Sequence, residues 1–173
     1  GTGATITHDT TDRNASMAFS STTAGGFTIM QTYEHFRYQP GKAQQIFITF
    51  NFEGQDANAD KFAEYGDQTN AFGVEYKADG TLNFYIKTGT TQGDQIIPST
   101  QWTNQGDLGL LDFTKEQIFF IQFEALYVGS VSFGFQIGTE RTVFHTINNS
   151  NNSTAPYIQT ANLPIAVGMV AQG

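Results

Sequence analysis

At 173 residues and a net charge of −8 the chain is the size of one domain, and its eight Lys and Arg residues are too few to neutralise a phosphate backbone, so nucleic acid is excluded as an expected partner. It has no Cys, which removes disulfides and thiolate chemistry, and no apolar run approaches the ~20 residues of a membrane helix, so membrane insertion is not expected. Sixteen Phe, seven Tyr and eighteen Gly against four Pro describe aromatic strands joined by glycine turns, folding as one unit that buries roughly 70% of its unfolded surface.

The chain opens Gly1-Thr2-Gly3 without Met and ends Ala171-Gln172-Gly173, so both ends are expected to be boundaries within a longer protein. Residues 1–26 are rich in Thr, Ser, Gly and Asp with few apolar anchors. That composition predicts an N-terminal arm, poorly ordered unless it packs, ahead of a β-sandwich domain over 27–173. Phe27, Ile29 and Met30 open a strand running through Tyr33 and Phe36 to Tyr38, ended by Gln39-Pro40-Gly41, where Pro followed by Gly is type II turn chemistry. Ile46, Ile48, Phe50 and Phe52 alternate with Phe47, Thr49 and Asn51, a strand with one wholly apolar face. Glu53 to Asn70 is the longest polar interval and reads as a surface loop of functional length.

Phe72, Val74 and Tyr76, then Ala78-Asp79-Gly80, then Leu82, Phe84 and Ile86 form a hairpin with its Asp-Gly turn. After the polar loop Lys87 to Gln95, Ile96-Ile97-Pro98 reads as a short edge strand, because Pro lacks the ladder donor. Trp102 and Leu108 to Phe113 lead into Ile118, Phe119, Phe120, Ile121 and Phe123. So continuous an apolar run suits a central strand covered on both faces. Val131, Phe133, Phe135 and Ile137 then alternate strictly with polar or small residues, and Gly138-Thr139-Glu140 returns the chain into Val143 to Ile147. Asn148 to Thr154 is a loop, and Tyr157 to Val170 is a closing strand interrupted at Pro164. About ten short strands of this kind predict an all-β, two-layer antiparallel β-sandwich, jelly-roll or concanavalin-like, ahead of a closed barrel.

Chemistry is harder to find. A glycan-cleaving sandwich needs two carboxylates about 5 to 9 Å apart, and the strand-associated acids are Glu75, Asp112 and Glu124. Alternation turns Glu75 away from Phe72, Val74 and Tyr76, to an outer, solvated face. No two acids share an i, i+2 spacing within a strand, although a pair on different strands does not show in a sequence. His8, His35 and His145 are too far apart for a zinc motif, no Gly-x-Ser-x-Gly elbow occurs, and no Gly-rich phosphate loop follows a strand. No catalytic residue and no cofactor are therefore expected. The metal candidate is calcium at Asp56, Asn58 and Asp60, whose oxygens stand at alternate positions with Glu64 or Asp67 available to complete the shell. Lys61 occupies the place where such a loop wants Gly, and opposes it. Tyr33, Tyr65, Tyr85 and Trp102 have the ring chemistry to stack on sugars, with Tyr85 and Trp102 as the ligand-binding candidates. Tyr85 faces away from Leu82, Phe84 and Ile86, while Trp102 competes with a role as core anchor.

Three segments together resemble a family of virion structural proteins of tailed bacteriophages: Phe36-Arg37-Tyr38-Gln39-Pro40-Gly41-Lys42, Val128-Gly129-Ser130-Val131-Ser132-Phe133-Gly134-Phe135, and Tyr157-Ile158-Gln159-Thr160-Ala161-Asn162-Leu163-Pro164-Ile165. With Phe72-Gly73 and the Trp102 region, the likeness covers about residues 27 to 166. Family members carry Arg where Ser130, Ser132 and Ala166 stand here, so any role of those arginines does not transfer. The resemblance implies a non-catalytic particle component, a tail, fibre or surface module located in the virion. It would assemble with other virion proteins or with itself as a homo-oligomer, and contact host glycans. A lectin-like carbohydrate-binding domain is the alternative, and a glycan-cleaving enzyme the third reading.

Overall fold

The computed structural model describes residues 4–19, 24–39, 41–67, 69–124 and 129–173. It contains twelve strands: β1 (Ala4–Asp9), β2 (Asn14–Phe19), β3 (Phe27–Gln31), β4 (Gln44–Phe50), β5 (Ala59–Gly66), β6 (Ala71–Tyr76), β7 (Leu82–Lys87), β8 (Gln95–Pro98), β9 (Gln117–Phe123), β10 (Ser130–Ile137), β11 (Glu140–Asn148) and β12 (Ile165–Ala171). Two single-turn 3-10 helices, Ser99–Gln101 and Leu108–Leu110, lie between β8 and β9. The expected all-β sandwich is the observed architecture. A four-stranded sheet in the order β11-β10-β9-β4 faces a six-stranded sheet in the order β3-β12-β5-β6-β7-β8, and β1 and β2 form a separate hairpin. Every named pairing is antiparallel.

Period-two alternation decides which side chains meet between the sheets. Phe119, Ile121 and Phe123 of β9 point inward with Val131, Phe133 and Phe135 of β10, and meet Tyr65, Phe72, Val74, Phe84 and Ile86 of the larger sheet. Aromatic stacking fills the gap: Phe84 lies 5.0 Å from Phe133 and 5.8 Å from Phe119, and Phe72 lies 4.9 Å from Phe123. Rings in such offset arrangements contribute about 0.5–1.5 kcal/mol per pair beyond their buried area.

Strand β9 is central, paired to β10 on one side and β4 on the other. Its outward Phe120 is also buried, at 2% exposure, between Phe47 of β4 and Gly134 of β10, where an added Cβ would overlap the Phe120 ring. The continuous apolar run therefore records a strand covered on both faces, the outer cover being another aromatic of the same sheet.

Several segments differ from expectation. The polar interval Glu53–Asn70 contains β5, a central strand between β12 and β6. Its inward residues Ala63 and Tyr65 are fully buried, but Ala is a weak hydrophobic signal and Lys61 breaks the alternation. The strand from Phe27 ends at Gln31, well short of Tyr38. The closing strand begins only at Ile165, and the stretch from Tyr157 to Pro164 is irregular chain whose Tyr157, Ile158 and Leu163 nevertheless enter the core. Pro40 of the expected type II turn lies outside the described residues; Gly41, at φ 80°, holds the left-handed conformation that such a turn places after Pro.

The N-terminal segment folds as a hairpin, in register from Ala4↔Phe19 to Asp9↔Asn14. It contacts β3. Ala15, Met17 and Phe19 are half-buried on its inward side, whereas every residue of β1 after Ala4 is exposed.

Candidate functional site

The candidate glycan-stacking residues are not on the surface. Trp102 is 2% exposed, stacked on Phe84 at 3.8 Å between centroids, and its indole N–H donates to the carbonyl of Ile97 at 3.0 Å. Tyr85 is 1% exposed. Both corrections have one cause, that a large ring gains more by burial with its polar atom satisfied than by waiting in water. Tyr65 is buried too, its hydroxyl donating toward the carbonyls of Phe36 and Ala161. Of the four rings considered, Tyr33 alone is open to solvent, at 99% exposure.

The candidate calcium loop does not converge either. Asp56 turns its carboxylate back to accept the Asn58 backbone N–H at 2.9 Å. Asp60 accepts from the Lys77 ammonium at 2.7 Å, the Ala78 N–H at 2.7 Å and the Gln172 amide at 2.9 Å, so its oxygens are committed to protein donors. Among the described residues no group of three or more His, Cys, Asp or Glu is placed to hold a metal ion. Asp112 sits in a loop, held down to about 2 by hydrogen bonds from the Thr114 hydroxyl, Lys115 and the Thr114 backbone. Glu124 lies just past the end of β9.

What the sequence did not reveal is a polar cluster on the outer face of the larger sheet. Cross-strand register places Glu64 of β5 opposite Gly73 of β6, and Gly73 opposite Tyr85 of β7. Because Gly73 has no side chain, the Tyr85 ring lies across it, and the phenol donates to Glu64 Oε2 at 2.5 Å. The Lys87 ammonium stands 3.9 Å from the same oxygen and 4.6 Å from the Tyr85 ring centroid, an ion pair and a cation–π contact together. Along the same face the Asn83 amide donates to Glu75 Oε1 at 2.7 Å. Glu75 is the diagonal neighbour of Glu64, about 7–8 Å away between Cα atoms by sheet geometry.

Two acids on adjacent strands, one with a raised pKa, are the constellation that a glycosidase requires. Burial pushes the Glu64 carboxyl above its ordinary value, against the lowering influence of the Tyr85 hydrogen bond and Lys87. The Glu64 side chain is only 6% exposed, with its Oε2 engaged by the Tyr85 phenol and faced by the Lys87 ammonium. The arrangement is chemically a clamp across three strands, with a phenol that burial keeps protonated as its donor.

That clamp makes stability depend on pH in a definable direction. With its folded-state pKa raised above the unfolded 4.5, Glu64 binds more proton in the folded than in the unfolded chain, so its contribution falls as pH rises from about 4.5 through the folded value. Glu64→Gln keeps an acceptor for Tyr85 and cannot ionise. The expected result is a flatter dependence of melting temperature on pH above 4.5, with the variant at least as stable as the parent at neutral pH. Identical slopes for the two proteins would show that Glu64 is not the group responsible.

His8, His35 and His145 do not come together; His145 Nδ1 instead lies 3.2 Å from the Thr103 hydroxyl. The sequence offered Glu64 only as a residue to complete a calcium shell, because it fell inside the apparent polar loop. The usable signal was Glu64 and Phe62 alternating with Ala63 and Tyr65, together with an unexplained Gly at position 73. No helix among the described residues is long and apolar enough to cross a membrane. In comparisons with known proteins, no protein-family model and no curated sequence matches this chain.

Proposed function

We propose that the chain is a non-catalytic structural module of a tailed-phage particle, a tail, fibre or surface component that acts by joining and presenting surfaces. The observation that carries this reading is the N-terminal hairpin. Its inward row of Ala4, Ile6, Met17 and Phe19 is only partly covered by its own domain, leaving Ile6 50% exposed. Phe27 at 58%, Tyr33 at 99% and Phe36 at 42% lie exposed on and just after β3, the edge strand that the hairpin contacts. Apolar side chains in that position are suited to burial against a neighbour. The resemblance of three segments to phage virion proteins supplies the biological setting, and the burial of Glu64 and Tyr85 within the polar cluster agrees with a protein that performs no bond-making.

The test is to purify particles of the phage that encodes the chain and look for its peptides. They are expected in the particle fraction, in fixed ratio to the other structural proteins, with the purified chain sedimenting as an oligomer that Ile6→Lys dissociates. Peptides confined to the lysate, or turnover of any defined glycan, would overturn the proposal. A second reading, contact with host glycans, draws on the exposed Tyr33 ring, which has a free face for a sugar. It requires binding on a glycan array that Tyr33→Ala abolishes.

A further inference from the structure

A cleft of about 480 Å³ lies beneath the hairpin, within the ~300–1,000 Å³ range of small-ligand sites. Its origin is a mismatch of widths. Strand β4 ends the smaller sheet at the level of β5, so β12 and β3 of the larger sheet overhang it. The hairpin spans the space that the overhang leaves.

Three observations distinguish this cleft from an incidental gap. The chain has three Met residues, and all of them, Met17, Met30 and Met169, line it. Met side chains are flexible and polarizable, and re-pack around apolar guests of different shape. Second, two of the three described non-glycine residues with positive φ, Arg13 at 53° and Glu53 at 54°, are also on its walls; left-handed backbone at such residues costs energy and gathers at ligand sites. Third, Lys61 points into the space between the sheets. Its ammonium donates to the carbonyls of Phe52 at 2.5 Å and Gly54 at 3.2 Å, and no described carboxylate pairs with it. An ammonium has three donors, so one remains for a guest.

We propose that this cleft binds a small amphipathic carboxylate, an acyl or aryl chain whose apolar body lies among the three methionines and whose carboxylate accepts from Lys61. The acids Asp12, Glu53 and Glu116 also line the cleft, as does Arg13, and all four are exposed, so water screens their charges. Lys61 is the half-buried charge and sets the preference for an anion. This site is independent of the particle role proposed above, and its failure leaves that role untouched.

The experiment titrates decanoate into the full chain carrying 13C-methyl methionine and follows the three methyl signals by NMR. All three are expected to shift together and saturate, decanol is expected to bind about tenfold more weakly for want of the charge-assisted bond, and decylammonium not at all. Lys61→Met is expected to melt as a folded protein and to bind decanoate no better than decanol. Should that variant fail to fold, the ranking of decanoate, decanol and decylammonium on the parent chain still decides. Unmoved methyl signals, or equal binding of decylammonium, would each overturn the proposal.

Discussion

Phe133→Asp is expected to leave the chain unfolded. Phe133 is fully buried in β10, with β9 on one side and β11 on the other, and stacks between Phe84 and Phe119. Truncating a buried Phe costs about 3–5 kcal/mol. The carboxylate adds several kcal/mol more, since an acid at that position has no donor and no cation and must be desolvated or protonated. Against a typical stability of about 5–15 kcal/mol the two together exhaust the margin. Far-ultraviolet circular dichroism is expected to lose its strand signal and thermal scans to show no cooperative transition. Phe47→Asp is the control: Phe47 is 39% exposed on the outer side of β4, so the same chemical change there is expected to leave the fold intact. A cooperative, unchanged melt of Phe133→Asp would mean that β10 turns its other face inward.

The same alternation explains why some elements could be read from sequence and others not. In β10 and in the β6–β7 hairpin the inward residues are Phe, Val, Leu and Ile at every second position, and the Asp79-Gly80 turn is marked by Gly80 at φ 88°. Those strands follow from period two alone. Strand β5 fails that test because its inward positions are Lys61, Ala63 and Tyr65, and its outward ones include Phe62 and Glu64. It is held in place by register with β6 and β12, long-range information that no local window carries. Tyr157 to Pro164 fails the other way. Its apolar residues are buried without being strand, because hydrophobicity reports burial and only ladder hydrogen bonds make a strand.

The candidate site divides along the same line. Tyr85 was singled out because it faces away from Phe84, and that orientation is correct; what local pattern could not supply is Gly73 beside it, the vacancy into which the ring folds. Ring and carboxylate come from positions 85 and 64 on strands that are not neighbours, bridged over a third. The pair exists only once three strands are in register. The cleft under the hairpin was equally hidden, since Met17, Met30 and Met169 are scattered from one end of the chain to the other.

Filling that vacancy is expected to produce the second large effect. In Gly73→Val the new Cβ would overlap the Tyr85 ring and hydroxyl and approach Glu64 Cβ to 2.9 Å, so Tyr85 must leave. Overpacking costs about 1–3 kcal/mol, and losing a hydrogen bond to a buried charged acceptor about 1.5–3 kcal/mol. A loss of about 3–5 kcal/mol is therefore expected, read as a lower urea midpoint at unchanged slope. Tyr85→Ala separates this mechanism from a general intolerance of side chains at position 73. With the ring removed, the two tightest contacts are gone, Glu64 Cβ at 2.9 Å is the one that remains, and the Glu64 partner is already absent. The second substitution is then expected to cost less than about 1 kcal/mol, a coupling of about 2–4 kcal/mol between the two positions and well beyond the scatter of independent sites. Strict additivity would mean that Gly73 is required by its own backbone, and that Tyr85 does not rest across it.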